Sequence, residues 1–448
     1  HFTPSQLNKQ MADSTSRRVV VTGLGQVSPL GNTIEQLWDA LTHGKSGVRP
    51  LTSIPTDHLT APYGGECVDF TGDIDDFGEL DKQTRRNIKK GLRVMCREIQ
   101  LGVAVAQQAL RDAKLQMGDY DPERTGIVYG SDYIMTLPEE FLDGIQNCLD
   151  QNQQFDFNRW AEDGLPKVSP LWLLKYLPNM PASHIAIYND LQGPNNSLTV
   201  REASSNLAIG EAFCTIMRGD ADIMIAGATG SRVHPLRTIH TTLQEELANA
   251  QMQPAEACRP FDKDRCGMVI GEGAGALILE ELESAQQRGV PILAEVIGHN
   301  SSTVIAQDGT PHCGEALGHA LRLALNNANL SPEELGHVHA HGISTLQGDQ
   351  QEAKAIAQEL GNYQEQVPVV AAKSYFGNLG AASGLVEVIS SIIAMQKEQL
   401  FPILNYQTPD PECPLTAVRD LQQPAGNSFV NLNVSPQGQA SAVVLRRF

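Results

Sequence analysis

The sequence predicts an α/β protein of packed sheets and helices, arranged as two similar halves. Three observations carry this. Strands alternate with helices along most of the chain, and the strands are near-continuous apolar runs of the kind buried on both faces. The pattern strand, turn rich in polar groups, helix recurs near residue 202 and near residue 341.

The elements follow in order. Residues 18–31, RVVVTGLGQVSPLG, read as a buried strand and a Gly-rich turn. A helix follows, capped by Thr33, with Ile34, Leu37, Trp38 and Leu41 at helical spacing before Gly44. The GLG is not a dinucleotide fingerprint, because the third glycine is missing and no helix opens on it. Residues 82–97, KQTRRNIKKGLRVMCR, hold seven basic side chains and no acid. Arg85 and Lys89, and Arg86, Lys90 and Arg93, recur at three- and four-residue steps, which places each set on one helix side. An apolar helix through Ile99, Val103, Ala106 and Leu110 leads to a strand at 126–129. Residues 131–180 are irregular and read as an insertion between core elements.

A short strand at 197–200 then runs directly into a helix at 203–218, with Glu202 at the junction. A strand at 223–226 follows, and GMVIGEGAGALILE at 267–280 reads as a Gly-punctuated pair of buried strands. Beyond it come a helix at 315–329, a strand at 338–340, a helix at 349–360, a strand at 369–371, a helix at 381–397 and terminal strands. This reading makes 1–17 a tail, 18–275 the first half with 131–180 inserted, and 276–448 the second half.

Composition narrows the function. The chain has 448 residues, 41% of them hydrophobic, enough for one large core or two medium ones. The formal charge is −19, from 33 basic and 52 acidic residues, which argues against general nucleic-acid binding. No apolar run reaches the roughly 18 to 20 residues of a membrane span. HFTPSQLNKQ has no apolar segment of a secretory signal, and Met11 is a candidate start. The eight cysteines, from Cys67 to Cys413, form no CxxC pair and are expected as free thiols in a reducing cytoplasm.

Three places could carry chemistry. Glu202 sits where unpaired helix N–H groups stabilise negative charge, a position that suits a nucleophile; on its own such an acid merely offsets the helix dipole. HAHGISTLQGDQQEA at 339–353 closes a strand with His341, and Asp349 is placed to cap the next helix. AAKSYFGNLGAASG at 371–384 sets Lys373 at a strand end, five residues before Asn378. No His, Cys, Asp and Glu cluster has metal-ligand spacing, and no loop is built to cradle phosphate.

Together these stretches resemble the elongating β-ketoacyl-acyl carrier protein synthases, of the thiolase fold, over about residues 18–448. The motifs are RRVVVTGLGQVSPLG, GPNNSLT, MRGDADIMIAGAT, RPFDKDRCGMVIGEGAGALILEEL, AHGISTLQGDQQEA and AKSYFGN, in the family's order. The resemblance implies a five-layered αβαβα arrangement. It sets Glu202 where the family has its acylated Cys, His341 on the first active-site His, Lys373 on the Lys, Glu352 on its accompanying acid and Asn378 on the second His. The family's terminal gating loop looks like NVSPQGQ from Asn433, with Gln437 in the place of the gating Phe.

Such an enzyme needs a thiolate to accept the acyl chain, and two polar groups to stabilise charge as malonyl loses carbon dioxide. Glu202 cannot form a stable acyl intermediate, and its charge opposes an enolate unless it is protonated or paired, for example with Lys373 or Arg201. Initiating ketosynthases use His and Asn, so His341 with Asn378 is compatible with decarboxylation. Two readings follow. One is an enzyme that acts on acyl carrier protein thioesters without self-acylation, by decarboxylation or an unconventional condensation. The other is a non-catalytic partner like the chain length factors, which also lose the Cys. The resemblance further implies no cofactor beyond the carrier's phosphopantetheine. It implies a homodimer or a heterodimer with an active ketosynthase, a cytoplasmic setting, and carrier-protein docking on Lys82, Arg85, Arg86, Lys89, Lys90 and Arg93.

Overall fold

The computed structural model describes residues 17–448 apart from His58; the expected tail, Met11 included, lies outside the described residues except for Arg17. The main strands are β1 (Val19–Val27), β2 (Thr125–Ser131), β3 (Asn195–Leu198), β4 (Ile223–Ser231), β5 (Glu272–Glu281), β6 (Ala294–Thr303), β7 (His337–His339), β8 (Val369–Val370), β9 (Ser428–Val434) and β10 (Gln439–Arg446). They form one ten-stranded sheet in the order β8-β7-β9-β10-β6-β1-β5-β4-β2-β3. Split between β1 and β6, the two halves repeat. Counting strands from each half's start, both run first, fifth, fourth, second, third, with the same directions: two antiparallel neighbours, then two parallel ones. The halves join where Val19–Val21 pair with Ala294–Val296.

The main helices are α1 (Ile34–Thr42), α2 (Lys82–Gly91), α3 (Arg97–Asp112), α4 (Glu139–Asn147), α5 (Met180–Asn189), α6 (Ser204–Met217), α7 (Pro235–Gln244), α8 (Leu282–Arg288), α9 (Cys313–Asn327), α10 (Leu346–Leu360) and α11 (Ser383–Lys397), with a single helical turn at Lys373–Phe376. Strand alternation sorts them into layers. On β4, Ile223 and Ile225 pack toward α3 and α5, while Met224 and Ala226 pack toward α6 and α11. The cluster around α6 and α11 takes Val128 and Leu277 from the first half-sheet and Phe429, Val443 and Leu445 from the second. The far face of the second half-sheet is covered by α9 and α10, through Leu317, Leu321 and Ile356. The layers are therefore helix, sheet, helix, sheet, helix, and α6 and α11 occupy the centre.

Several expectations are corrected. The GLG is not a turn: β1 runs through it, with a bulge between Val21 and Gly23. The segment 267–280 is one strand, β5, and its approach makes only isolated bridges, so the boundary drawn at 275 falls inside a strand. The insertion is not wholly irregular, since it contains α4 and several single turns. Thr33 does cap α1, in a reciprocal capping box with Gln36. Asp349 is not a cap: Thr345 is the residue before α10, and the Asp349 carboxylate instead accepts from the N–H groups of Phe261, Ile343 and Ser344. The topology also re-pairs the two turns. The strand before Glu202 (β3) corresponds to β8, so the counterpart of the Glu202 turn is the one bearing Lys373, whereas His341 corresponds to Asp132 after β2. All eight cysteines are free, and no described helix is long and apolar enough to cross a membrane.

Gly25 explains the run of small residues in β1. A Cβ there would stand 2.0 Å from the Val105 carbonyl oxygen of α3, backbone against backbone. Gly25→Ala should therefore push α3 off the sheet and cost about 2–3 kcal/mol, read as a lower urea midpoint with an unchanged slope.

Candidate active site

The starts of α6 and α11 meet at the centre of the molecule. Gly384 makes this possible, since a Cβ there would lie 2.7 Å from the Ser205 Cβ. The Ser205 hydroxyl donates to the Ala381 carbonyl at 2.5 Å and accepts from the Leu385 N–H at 3.0 Å, stitching the two helix starts together. Between β3 and α6 the chain makes a single tight turn, Arg201–Ala203. Arg201 takes the left-handed conformation with φ +51°, a strained geometry for a residue with a side chain. This directs Glu202 inward, where it is 1% exposed.

Glu202 is held by a ring of charges. Arg232, at the end of β4 and 0% exposed, donates to Glu202 Oε1 and, at 2.9 Å, to Glu245. Arg201 pairs with Glu245 and lies 3.6 Å from Glu202 Oε2. Burial alone would raise the Glu202 pKa, but Arg232 and then Arg201 overcome it and hold the carboxyl well below its usual range. The same acids hold the buried Arg232 guanidinium charged. The counter-ion is thus Arg232, with Arg201 second; Lys373 is not in the ring.

Asn378 completes the enclosure. Its amide nitrogen donates to Glu202 Oε1 at 3.0 Å and faces Met268 Sδ at 3.0 Å. Its oxygen accepts from the Gly380 N–H and the Ser383 hydroxyl, which fixes the amide orientation. Both amide hydrogens are therefore engaged inside the protein.

His341 and Lys373 form a second cluster. The Lys373 ammonium is bound by Glu387, by the His341 carbonyl at 2.8 Å, and by His341 Nδ1 and Asn433 Oδ1 at 3.3 Å each. Asn433 in turn donates to Glu387 at 2.8 Å and to Asn431 at 2.9 Å. Burial and the Lys373 charge push His341 down to about 3, so its ring is neutral, and its Nε2 has no protein partner among the described residues. Glu352 does not touch the lysine. It accepts from the backbone N–H groups of His341 at 2.6 Å and Gly342 at 2.8 Å, and burial pushes it up to about 8.

Behind Lys373 runs a chain of neutral groups with one consistent proton arrangement. The Ala372 N–H donates to His339 Nε2, so His339 Nδ1 donates to the Ser391 hydroxyl, which donates to His337 Nε2, whose Nδ1 donates to the Ala425 carbonyl. Charging His339 breaks a link, because its Nε2 would then carry a hydrogen against the Ala372 N–H.

Comparison with known proteins accounts for this architecture. Residues 16–285 match the β-ketoacyl synthase N-terminal domain and residues 293–407 the C-terminal domain. The chain belongs to the β-ketoacyl synthase family. It is 34% identical over 410 residues to a 3-oxoacyl-[acyl-carrier-protein] synthase 2 of Synechocystis, covering 91% of this chain and 92% of that one. A Staphylococcus aureus protein of the same description is 31% identical over 434 residues, covering 96% and 98%. A β-ketoacyl synthase structure from Burkholderia phymatum superposes with TM-score 0.82 at 28% identity, over 96% of this chain and all of that one. The ishigamide ketosynthase/chain length factor superposes with TM-score 0.80 at 27% identity, over 96% and 99%. The five layers are the thiolase-like ketosynthase fold.

Within this ketosynthase-family site, Glu202, Asn378, His341 and Lys373 converge from both halves, with Glu352 as a brace for the His341 loop. Gln437 does not converge on them by any hydrogen bond of its side chain; it is exposed at the tip of the β9–β10 hairpin, whose turn closes from Gly438 N–H to the Ser435 carbonyl at 3.0 Å. On α2, Lys82, Arg86, Lys89 and Lys90 are exposed, as is Arg93 in the turn that follows it, and none of the five makes an ion pair among the described residues, while Arg85 is held by Asp75 at 2.6 Å. Arg97 leaves this patch and turns inward to Glu272 at 2.8 Å. Sequence reasoning missed Arg232, Glu245, Glu387 and His339. Arg232 was the findable one, because an arginine directly after the apolar run of β4 demands a buried acid, and Glu202 is the acid at a comparable depth.

Two predictions follow from these clusters. Arg232→Met should destabilise the protein by roughly 3–5 kcal/mol by leaving Glu202 buried without its main counter-ion, and adding Glu202→Gln should recover most of that loss in a urea double-mutant cycle. The second concerns pH. His337 is pushed down to about 4, His339 well below its ordinary value and His341 to about 3, in each case first by burial. Depressed histidines stabilise the fold fully above about pH 6.5 and lose that contribution as pH falls through the folded values. Glu352 and Asp349, raised to about 8 and about 6, pull the other way as pH falls toward their ordinary values. The three histidines outnumber them, so unfolding free energy should still drop between pH 6.5 and 4, each histidine contributing up to about 1.4 kcal/mol per unit, and a flat profile in urea titrations over that range would refute it.

Proposed function

We propose that this chain is a non-catalytic ketosynthase-fold subunit that works beside an active ketosynthase on carrier-bound acyl chains. One observation carries this reading: Glu202, at the position that resembles the family's nucleophile, is an ionised carboxylate locked by Arg232, and it has drawn in Asn378. A condensing enzyme needs a thiolate there, and it needs the second donor free to meet the thioester oxygen. Here the nucleophile is replaced by an acid that cannot hold an acyl group stably, and both Asn378 hydrogens are spent. The likeness to a ketosynthase/chain length factor structure supports the same reading. So does the outer edge of β3, which among the described residues pairs only with β2 and leaves a row of backbone groups for a partner's strand.

The basic face of α2 and of the turn after it is the proposed docking site for the carrier protein. Five exposed cations without ion partners among the described residues, in a chain of net charge −19, form a local surface for an acidic partner. A type II polyketide synthase acyl-carrier protein in complex with its ketosynthase superposes on this chain with TM-score 0.81 at 26% identity, over 96% of this chain and 99% of that one.

A second reading rests on the His341 cluster. If Nδ1 accepts from Lys373, Nε2 carries the ring proton and can donate to a thioester oxygen. That is half of what decarboxylation of a malonyl thioester requires. The experiment separates the two. The pure protein is incubated with malonyl-loaded carrier protein and the carrier mass is followed, with His341→Ala beside it. The partner reading expects no acetyl carrier from the protein alone, a 1:1 complex with a Cys-bearing ketosynthase on co-expression, and condensation only by the pair. Conversion to acetyl carrier that His341→Ala abolishes would overturn it in favour of decarboxylation.

A further inference from the structure

A cavity of about 390 Å³, with none of Glu202, Asn378, His341 or Lys373 in its lining, lies between the start of α3, the insertion and the loop after β4. Its size is that of a small-molecule pocket, and its walls include Ile54, Phe70, Met135, Leu137 and Val233. Three carboxylates line it, against one guanidinium, Arg97. Two of the three are fully occupied. Glu66 accepts from the backbone and hydroxyl of Thr52 and from Ser53 N–H. Glu272 accepts from Arg97 at 2.8 Å, from the Ser231 hydroxyl at 3.0 Å and from Cys67 N–H at 3.1 Å.

The third, Glu98, is different. It is 4% exposed and has no counter-ion among the described residues; only the weakly donating Cys96 thiol and its own backbone N–H stand beside it. Arg237, whose charge reaches Glu98 from outside the cavity wall, is held by Asp132 at 3.2 Å. Burial accordingly raises the Glu98 pKa, the sign of a carboxylate that lacks a partner. His234, also in the wall, is pushed down first by burial and adds no positive charge. A buried acid facing an apolar cavity with a surplus of negative charge is complementary to a cation on a hydrocarbon body.

We propose that this cavity binds an amphipathic ammonium compound, with its cation on Glu98 and its hydrocarbon against the apolar wall. The test uses three probes of one size: hexylammonium, hexanol and hexanoate, each titrated into the full chain by calorimetry. Hexylammonium should bind about tenfold or more tighter than hexanol, and hexanoate should not bind. The isosteric Glu98→Gln should erase the preference of the ammonium over the alcohol while the protein stays folded by circular dichroism. Leu137→Trp, a change at a wall residue 39% exposed, should weaken both probes and leave Glu98 intact. Equal binding of hexylammonium and hexanol, an unaltered preference in Glu98→Gln, or no binding of any probe would each overturn the proposal.

Discussion

A carboxylate at the centre of a five-layered protein cannot stand on a helix dipole. The start of α6 offers Glu202 about 0.3–1 kcal/mol in exposed settings, and up to about 2 when partly buried. Removing the ion from water costs several kcal/mol even after the surroundings relax. The difference has to come from a cation, and Arg232 supplies it from a position with 0% exposure. The requirement then spreads. Arg232 is itself a buried charge with a second fork, which Glu245 fills, and Glu245 in turn holds Arg201. Arg201 is the strained residue whose φ of +51° turns Glu202 inward. The four groups are therefore one unit: two acids and two bases, each leaving another uncompensated if removed.

That unit decides what the rest of the pocket can do. Its negative member lies within hydrogen-bond reach of Asn378, so the amide that could face a substrate faces the protein instead. The Lys373 cluster is arranged on another principle. Its charge is closed by Glu387 and two asparagines, and it leaves the His341 ring neutral with one nitrogen open. The site thus holds a locked part, Glu202 at the β3–α6 turn with Asn378 drawn onto it, and an open part, the His341 ring after β7. An active condensing site needs both parts open to substrate, which is the physical basis of the proposal that this chain plays a supporting role.

Much of this was legible in the sequence because it is local. Strand and helix alternation gives layers, and the Thr33 and Gln36 pair reads as a cap because its partners are three residues apart. The basic face of α2 is visible for the same reason. The misreadings have a common cause, which is that contacts between distant segments override local signals. Glycines at 23 and 25 look like a turn until α3 lies on them; there they are the only residues that let a strand pass so close to a helix. Asp349 looks like a cap until Phe261, from a segment 88 residues away, claims its carboxylate. Arg232 and Glu202 are 30 residues apart on different elements, and only the parallel pairing of β2 with β3 and β4 brings their ends together. Glu352 keeps company with Lys373 in the sequence pattern, yet the lysine's acid is Glu387 on α11, 14 residues along the chain.

The repeat of the two half-sheets shows why the site is asymmetric. The turn after β3 and the turn after β8 occupy equivalent places, at the starts of the two central helices. One carries Glu202 and the other Lys373, opposite charges at related positions. The simplest arrangement would be for these two to neutralise each other across the pseudo-two-fold axis. They do not: Lys373 is drawn to Glu387 on α11 and Glu202 to Arg232 on β4, each by an ion from its own half of the chain. Each half thus settles its own charge internally, and no ion pair between Glu202 and Lys373 is needed to hold the central layer together. A change at one of the two positions is felt first by its own half. This separation allows an acid to stand at Glu202 while the lysine and histidine cluster keeps its geometry. The two clusters are therefore compatible in one fold, because the charges that govern them are closed on different sides of it.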